Sequence, residues 1–395
     1  MALLEKIKML ADQVFLQTVS DRRHLHANPE LSFKEFATAA YLKKRLAEIG
    51  IKWTVMHTTG VVALIKGEKS GGEVMALRAD IDALPIMEMS NMLYRSTNPG
   101  VMHACGHDAH TASLLGTATI LYNLKKEFAG TVKLIFQPAE EILPGGAAGM
   151  IREGVLSSPV PRAIIAQHVM PVLPAGKVGF RKGKYMASMD EIRVTVYGKG
   201  GHGAQPHLNV DPVLIAAQLI VALQQVVSRI IDPIVPAVLS FGKVIADGAI
   251  NVIPSTVYME GTFRTFDEAG RVEAHLRMKQ LAEGIAASMG GSCDFDITRG
   301  YPHLVNDDTL TTRIQQSMID YMGEDNVVEM DQWMASEDFA LYSQQLNACF
   351  YLLGTGNQIK ETTTSLHTPL FNIDEDVLLH STGLMAYIAL KELGN

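Results

Sequence analysis

Five side chains of metal-ligating type fall in four short stretches. They are Cys105 and His107 in Met102-His103-Ala104-Cys105-Gly106-His107-Asp108, Glu141 in Gln137-Pro138-Ala139-Glu140-Glu141, His168 in Ala166-Gln167-His168-Val169, and His367 in Leu366-His367-Thr368-Pro369. A thiolate, three imidazoles and a carboxylate suit a transition metal better than Ca²⁺ or Mg²⁺. Five ligands exceed the four of a closed structural zinc site, which points to two metals sharing ligands. Glu140, beside Glu141, is left to act as a base. The chemistry implied is metal-assisted hydrolysis.

Taken singly, each stretch has a plainer explanation. Adjacent acidic pairs are mostly solvated turns, and a lone Cys-x-His more often holds a buried structural cysteine. His168 and His367 alone read as strand-end and loop residues; the set carries the argument. Asp80, in Asp80-Ile81-Asp82-Ala83-Leu84-Pro85, either caps a turn or holds a ligand histidine in one tautomer. The glycine-rich stretch Gly198 to His207 lacks the spacing and the terminal Lys-Ser/Thr of a phosphate loop. It is either a long hairpin-like connection or a mobile loop that carries His202 to a developing oxyanion. Asn251 and Arg264 offer polar contacts, Arg264 by pairing a substrate carboxylate bidentately; composition alone favours structural roles for both.

These residues need elements to bring them together. Helical spacing covers 3–26, 34–49 and 108–125, with an N-cap expected at Asp108. Short apolar runs at 74–77, 132–136 and 163–166 read as buried strands. Strands alternating with helices predict an α/β fold: a mostly parallel sheet with helices on both faces. Ligands gather beyond the carboxyl ends of such strands, and Asp80, Glu140, Glu141 and His168 are expected to follow their strands directly.

The pattern changes near residue 186. Residues 191–197 alternate with period two, a helix capped by Asp211 with Pro212 at its first position spans 211–230, strands follow at 237–245 and 255–263, then a helix at 267–288 and a strand at 292–298. The order β-α-β-β-α-β is the ferredoxin-like signature. Alternation then resumes, with helices at 308–322 and 374–392 and a strand at 348–353. The expected organisation is one metal-binding catalytic domain, 1–185 and 300–395, with an α+β ferredoxin-like domain, 186–299, inserted.

At 47 % hydrophobic and 19 % charged residues the chain suits a packed globular enzyme rather than a disordered protein. A net charge of -8 without a basic cluster argues against a nucleic-acid partner. Three cysteines distant in sequence form no disulfide framework, which suits a reducing cytoplasm. The N-terminus reads as an amphipathic helix rather than a signal peptide, and no segment is expected to span a membrane.

Across nearly its whole length the chain resembles the aminoacylase-like dinuclear metallopeptidases, within them the amidohydrolase branch of hippurate hydrolase, auxin-conjugate hydrolases and N-acetyldiaminopimelate deacetylase. The resemblance rests on His24 to Ser32, Leu77 to Pro85, Met102 to His110, Phe136 to Glu141, Gly200 to Pro206 and Asn251-Val252-Ile253-Pro254. It implies Cys105, His107, Glu141, His168 and His367 as ligands of two divalent ions, and Glu140 as general base and then general acid. It implies an inserted domain that acts as a lid and often mediates dimerisation, hence a homo-oligomer. Cys105 as an added ligand favours manganese, nickel or cobalt, with zinc possible, and makes activity sensitive to oxidation. The implied reaction cleaves the amide of an N-acyl (acetyl or aromatic acyl) amino acid. Its rivals are a carboxypeptidase or dipeptidase on short peptides, and a non-catalytic amino-acid-binding protein on the same fold.

Overall fold

The computed structural model describes residues 2–394; Met1 and Asn395, the outer ends of the expected catalytic domain, lie outside them. The chain starts with α1 (Leu3–Ala27), α2 (Phe36–Ile49), β1 (Trp53–Met56), β2 (Gly60–Lys66) and β3 (Lys69–Asp80). Then come α3 (His107–Asn123), β4 (Ala129–Gln137), α4 (Gly146–Arg152), β5 (Ala163–Pro174), β6 (Val178–Phe180) and β7 (Gly183–Met186). Next are β8 (Asp190–Tyr197), β9 (Gly201–His202), α5 (Pro212–Gln225), β10 (Ala237–Ile245), β11 (Val252–Ile253), β12 (Thr256–Thr265), α6 (Glu268–Ser288) and β13 (Ser292–Arg299). The last stretch holds β14 (Leu304–Asn306), α7 (Asp308–Met322), β15 (Val327–Glu329), α8 (Ala340–Ser343), β16 (Asn347–Gly356) and α9 (Val377–Glu392).

Two compact units result. The first is Met1–Tyr185, Val305–Asp331 and Asp338–Asn395; the second is Met186–Leu304 with Gln332–Glu337. The second unit thus runs past the 186–299 expected from the sequence and takes in a separate six-residue segment.

The first unit is built on an eight-stranded sheet in the order β1-β2-β4-β3-β5-β16-β6-β15. Its centre, β4-β3-β5-β16, is parallel, while β1 and β2 add an antiparallel edge. The central strands are buried apolar runs, as parallel strands covered by helices must be: Ile164, Ile165, Phe350 and Tyr351 are all fully buried. α3 packs against α1 and α9 and is buried along most of its length, so the chemistry-bearing residues of its first turn start inside the protein. Here the structure corrects two expectations. The helix begins at His107, not after a cap at Asp108; its N-cap is Gly106 at φ 84. His168 does not follow its strand but lies within β5, which runs on to Pro174 because it stays paired with β16.

The second unit is a four-stranded antiparallel sheet, β10-β12-β8-β13, with α5 and α6 packed on it. Along β8 the alternation puts Ile192, Val194 and Val196 into the core with Leu219, Leu223 and Met278. Asp211 caps α5, accepting from the amides of Val213 and Leu214. At the start of β8, buried Asp190 accepts from Arg271 Nε at 2.9 Å and Nη2 at 2.6 Å, and His275 Nε2 lies 2.6 Å away. The segment Pro212–Ile230 is, against expectation, long and apolar enough to cross a membrane by length and composition. Its Ile215, Leu219, Leu223 and Val226 are buried in the core of this unit.

Candidate metal centre

The end of β3 and the first turn of α3 build one side of the centre. His107 and His110 are three residues apart on α3 and so face the same way. Each is held by a different aspartate. His107 Nδ1 lies 2.9 Å from the Asp82 carbonyl and 3.1 Å from Asp82 Oδ1, which leaves Nε2 pointing inward. His110 donates from Nδ1 to Asp80 Oδ1 at 2.6 Å and accepts the Val169 amide at Nε2 at 2.9 Å. An amide can only donate, so His110 is a neutral ring with both nitrogens committed. Asp80 also takes Arg78 Nη1 at 2.5 Å and the Thr111 hydroxyl on its carbonyl. From sequence, Asp80 is expected either to cap a turn or to fix a ligand histidine; here it holds His110, which is not among the ligand candidates. In the structure Asp82, read only as part of a turn, holds His107, because the chain leaves the strand at Asp80 and Asp82 lies closer to the helix start.

Three sharp backbone positions bring in the remaining donors. Gly106 at φ 84 separates Cys105 from His107, and a Cβ there would sit 2.3 Å from Val169 Cγ2. Ala139 at φ 52 turns the chain after β4 into Glu140 and Glu141; its amide donates to buried Glu35 at 2.9 Å. His367 itself stands at φ 59, its amide bonded to the Ala104 carbonyl at 2.8 Å. Left-handed backbone at non-glycine residues costs on the order of 1–3 kcal/mol each, and such strain clusters at functional sites.

The five ligand candidates converge. Cys105 Sγ lies 3.4 Å from His168 Nε2 and 3.2 Å from His367 Nε2. His367 Nε2 is 3.3 Å from Glu141 Oε1, and His107 Nε2 is 3.9 Å from the same oxygen. The donor atoms form triplets within 4.8 Å of one another: Cys105, His107 and His168; Cys105, Glu141 and His367; His107, Glu140 and Glu141. Cys105, His107 and Glu141 each belong to two of them, so the triplets overlap as two ion sites with shared ligands would. His168 Nδ1 faces the Val169 carbonyl at 2.7 Å, so its Nε2 is the ring nitrogen turned to the thiol. Asp82 Oδ2 also accepts the Glu141 amide at 3.1 Å, so one aspartate positions two candidates. Glu140 is buried, its Oε1 3.4 Å from the Asp338 amide.

Protein partners alone do not satisfy this cluster. His107 Nε2 and Glu141 Oε1 are buried without a hydrogen bond, and buried polar atoms ordinarily have one. Burial works against a charged His107, yet Asp80, Asp82 and Glu141 outweigh it and carry its pKa up to about 10. Burial, with Glu141, Glu140 and Asp80, pushes the Cys105 thiol well above its ordinary value. Burial, with His110 next, drives His168 well below its own, which keeps the imidazole neutral as a ligand needs. A pocket of carboxylates that strongly favours positive charge, with orphaned ligand atoms turned into it, fits divalent cations.

The second unit holds the other three candidates. His202 on β9 pairs with Val252 on β11 and is exposed; its Nδ1 accepts the Ala204 amide at 3.1 Å, which leaves the proton of a neutral ring on Nε2. Exposed Asn251 sits beside it, its carbonyl accepting the Gly203 amide at 2.8 Å. Arg264, on β12, is half-buried and bonds the Thr262 hydroxyl at 2.9 Å. Gly200 and Gly201 avoid the left-handed region; a Cβ would strike Ile253 O at 2.6 Å and Asn209 Oδ1 at 2.1 Å respectively. These two serve close packing around a short ribbon rather than an unusual turn.

Comparison with known proteins finds relatives of the whole chain. Residues 76–391 match peptidase family M20/M25/M40. The chain is 40 % identical over 386 residues to an N-acetylcysteine deacetylase of Bacillus subtilis, covering 96 % of this chain and 98 % of that protein. It is 43 % identical over 305 residues to an N-acyl-L-amino acid amidohydrolase of Geobacillus stearothermophilus, covering 77 % and 82 %. A thermostable carboxypeptidase 2 of Saccharolobus solfataricus is 36 % identical over 395 residues, 99 % of each chain. Among solved structures, the Bacillus subtilis YXEP protein, described as a dinuclear metal binding peptidase from the M20 family, superposes with a TM-score of 0.82 at 37 % identity, covering 97 % of this chain and 99 % of that one.

Proposed function

The chain belongs to peptidase family M20/M25/M40, and from that premise we propose that it is a metal-dependent amidohydrolase that cleaves N-acyl amino acids to a carboxylic acid and a free amino acid. The observation that carries this reading is the convergence of Cys105, His107, Glu141, His168 and His367 around orphaned ligand atoms, with the Glu140 carboxylate in the same cluster. Two divalent ions held by these five side chains would supply Lewis acidity, acidifying a water and polarising an acyl carbonyl. Manganese, nickel or cobalt suits the thiolate-containing set, and zinc remains compatible with it.

Glu140 takes the proton of the attacking water on its carboxylate and returns it to the departing amine nitrogen. Asp82 keeps His107 and Glu141 oriented throughout. His202 donates from Nε2 to the developing oxyanion. Arg264 or Asn251 receives the carboxylate of the amino-acid half. The second unit acts as a lid and as the surface through which the chain forms a homo-oligomer.

The carboxypeptidase relative supports a second reading, in which short peptides are the substrates. A screen of N-acetyl, N-benzoyl and dipeptide substrates with manganese and with zinc decides between them. The amidohydrolase reading expects the highest kcat/KM on an N-acyl amino acid; a preference for dipeptides by tenfold or more would replace it.

A further inference from the structure

Far along α1 from the metal centre, the first unit holds a cavity of about 540 Å³ formed by α1, the turn between β5 and β6, the end of α7 and the start of α9. That volume lies within the range of small-molecule sites, about 300–1,000 Å³. Lys8 from α1, Lys177 from the turn and His380 from α9 line it. Among the described residues, neither lysine has a carboxylate within ion-pair distance. Lys8 Nζ instead sits 5.3 Å above the ring of buried Tyr321. Asp12 is the one acidic lining residue, and it is exposed. Two unpaired ammonium groups against one acid make the lining net positive, on a chain whose own charge is -8. Burial, with Lys8 next, lowers the His380 pKa, so near neutrality this ring offers a hydrogen bond rather than a charge. The remaining wall sets the apolar side chains of Tyr321, Met322 and Leu379 beside the polar Asn326. Gly176 forms the turn at φ 87, and no atom lies within 4 Å of where its Cβ would be, so that side of the turn is open.

We propose that this cavity is a second binding site, for a small organic anion with an apolar body, of the aryl carboxylate type. Its lysines would pair the carboxylate, and Tyr321, Met322 and Leu379 would cover the ring. The site is separate from the metal centre: Lys8 and Arg22, the α1 residue that bonds Asp108 beside His107, are fourteen residues apart, about 21 Å at 1.5 Å per residue.

Calorimetric titration of the metal-loaded protein with benzoate, and separately with inorganic phosphate, tests it. Benzoate is expected to bind at least tenfold more weakly to Lys8→Gln/Lys177→Gln than to the unaltered protein, while kcat and KM stay unchanged. It is expected to keep that affinity in Glu141→Gln, where the metal centre is impaired. Phosphate, which lacks an apolar body, should bind at least tenfold more weakly than benzoate. If the double variant melts early, Lys177→Gln alone, on a surface turn, is read in its place. Benzoate binding that survives the lysine substitutions and disappears in Glu141→Gln would assign it to the metal centre and overturn the proposal. Equal affinity for phosphate would overturn the apolar part of the assignment.

Discussion

Glu140 and Glu141 are neighbours in sequence, yet their surroundings set different tasks. Glu141 Oε1 is an orphaned atom between His107 and His367, so Glu141→Gln should lose metal. Glu140→Gln should keep metal and lower kcat by about 10²-fold or more, the cost of losing a general base. Metal analysis beside turnover checks both, and retention of metal and activity in both variants would reduce the pair to a charged turn. Asp82 carries a sharper prediction. It bonds His107 and the Glu141 amide, so Asp82→Ala should weaken metal affinity by about 10–100-fold, as loss of a partner that orients ligands does. An unchanged metal affinity would remove it from this role. Asp82 was hard to read in the sequence because its partners are 25 and 59 residues away. Only the exit of β3 against the first turn of α3 decides which aspartate meets which histidine. The residue types of the candidates that the structure brings together were legible, because Cys, His and Glu at strand ends and turns are chemically conspicuous without any geometry.

At the scale of elements, the central strands were legible because each is a short apolar run bounded by turn residues. β1 and β2 were not. Their connection uses His57 at φ 51 and Thr58 at φ 67 rather than the glycine or asparagine that marks a tight turn, and β1 is mostly exposed. The start of α3 is obscured for a related reason: Gly106 looks like a helix breaker but serves as a left-handed N-cap. Gly106→Ala should therefore destabilise the fold by about 1–3 kcal/mol, the usual cost of strained backbone, and displace Cys105 and His107. Denaturant midpoints with metal content measure it, and a change within error would discount the close approach to Val169. In the second unit, Arg271 secures α6 to β8 through Asp190. Burial opposes ionisation of Asp190, but His275 and Arg271 outweigh it and hold its pKa below the usual value. Its stabilisation is thus present above the unfolded aspartate value of about 3.9 and is lost as pH falls through the lower folded value. Arg271→Met should cost about 3–5 kcal/mol, as removal of one member of a buried pair does. It should also flatten the acid limb of the stability curve. An unaltered acid limb would count against the pair as its source.

For the whole molecule, the insertion was legible because the hydrophobic period changes from buried runs to strict alternation at Glu191-Ile192-Arg193-Val194 and back after residue 300. The inclusion of Gln332–Glu337 in the second unit was not, since six residues carry no period of their own. The proposed role of His202 leads to a test at this scale. His202→Ala should reduce kcat more than it raises KM and leave metal content alone. If His202 serves the site of a partner chain, mixing that variant with Glu140→Gln should regenerate activity that neither parent has; verified mixed dimers without recovery would confine His202 to its own chain. The order of ligands along the chain has a further consequence, for biosynthesis. His168 precedes the insert and His367 follows it, 199 residues later. At translation rates of about 5–20 residues per second, that gap lasts about 10–40 s on the ribosome. Throughout that interval the nascent chain would hold the proposed ligands Cys105, His107, Glu141 and His168 without His367. On the proposed ligand set the centre would be completed only late in synthesis, and an early metal would meet an open site with the Cys105 thiol uncovered.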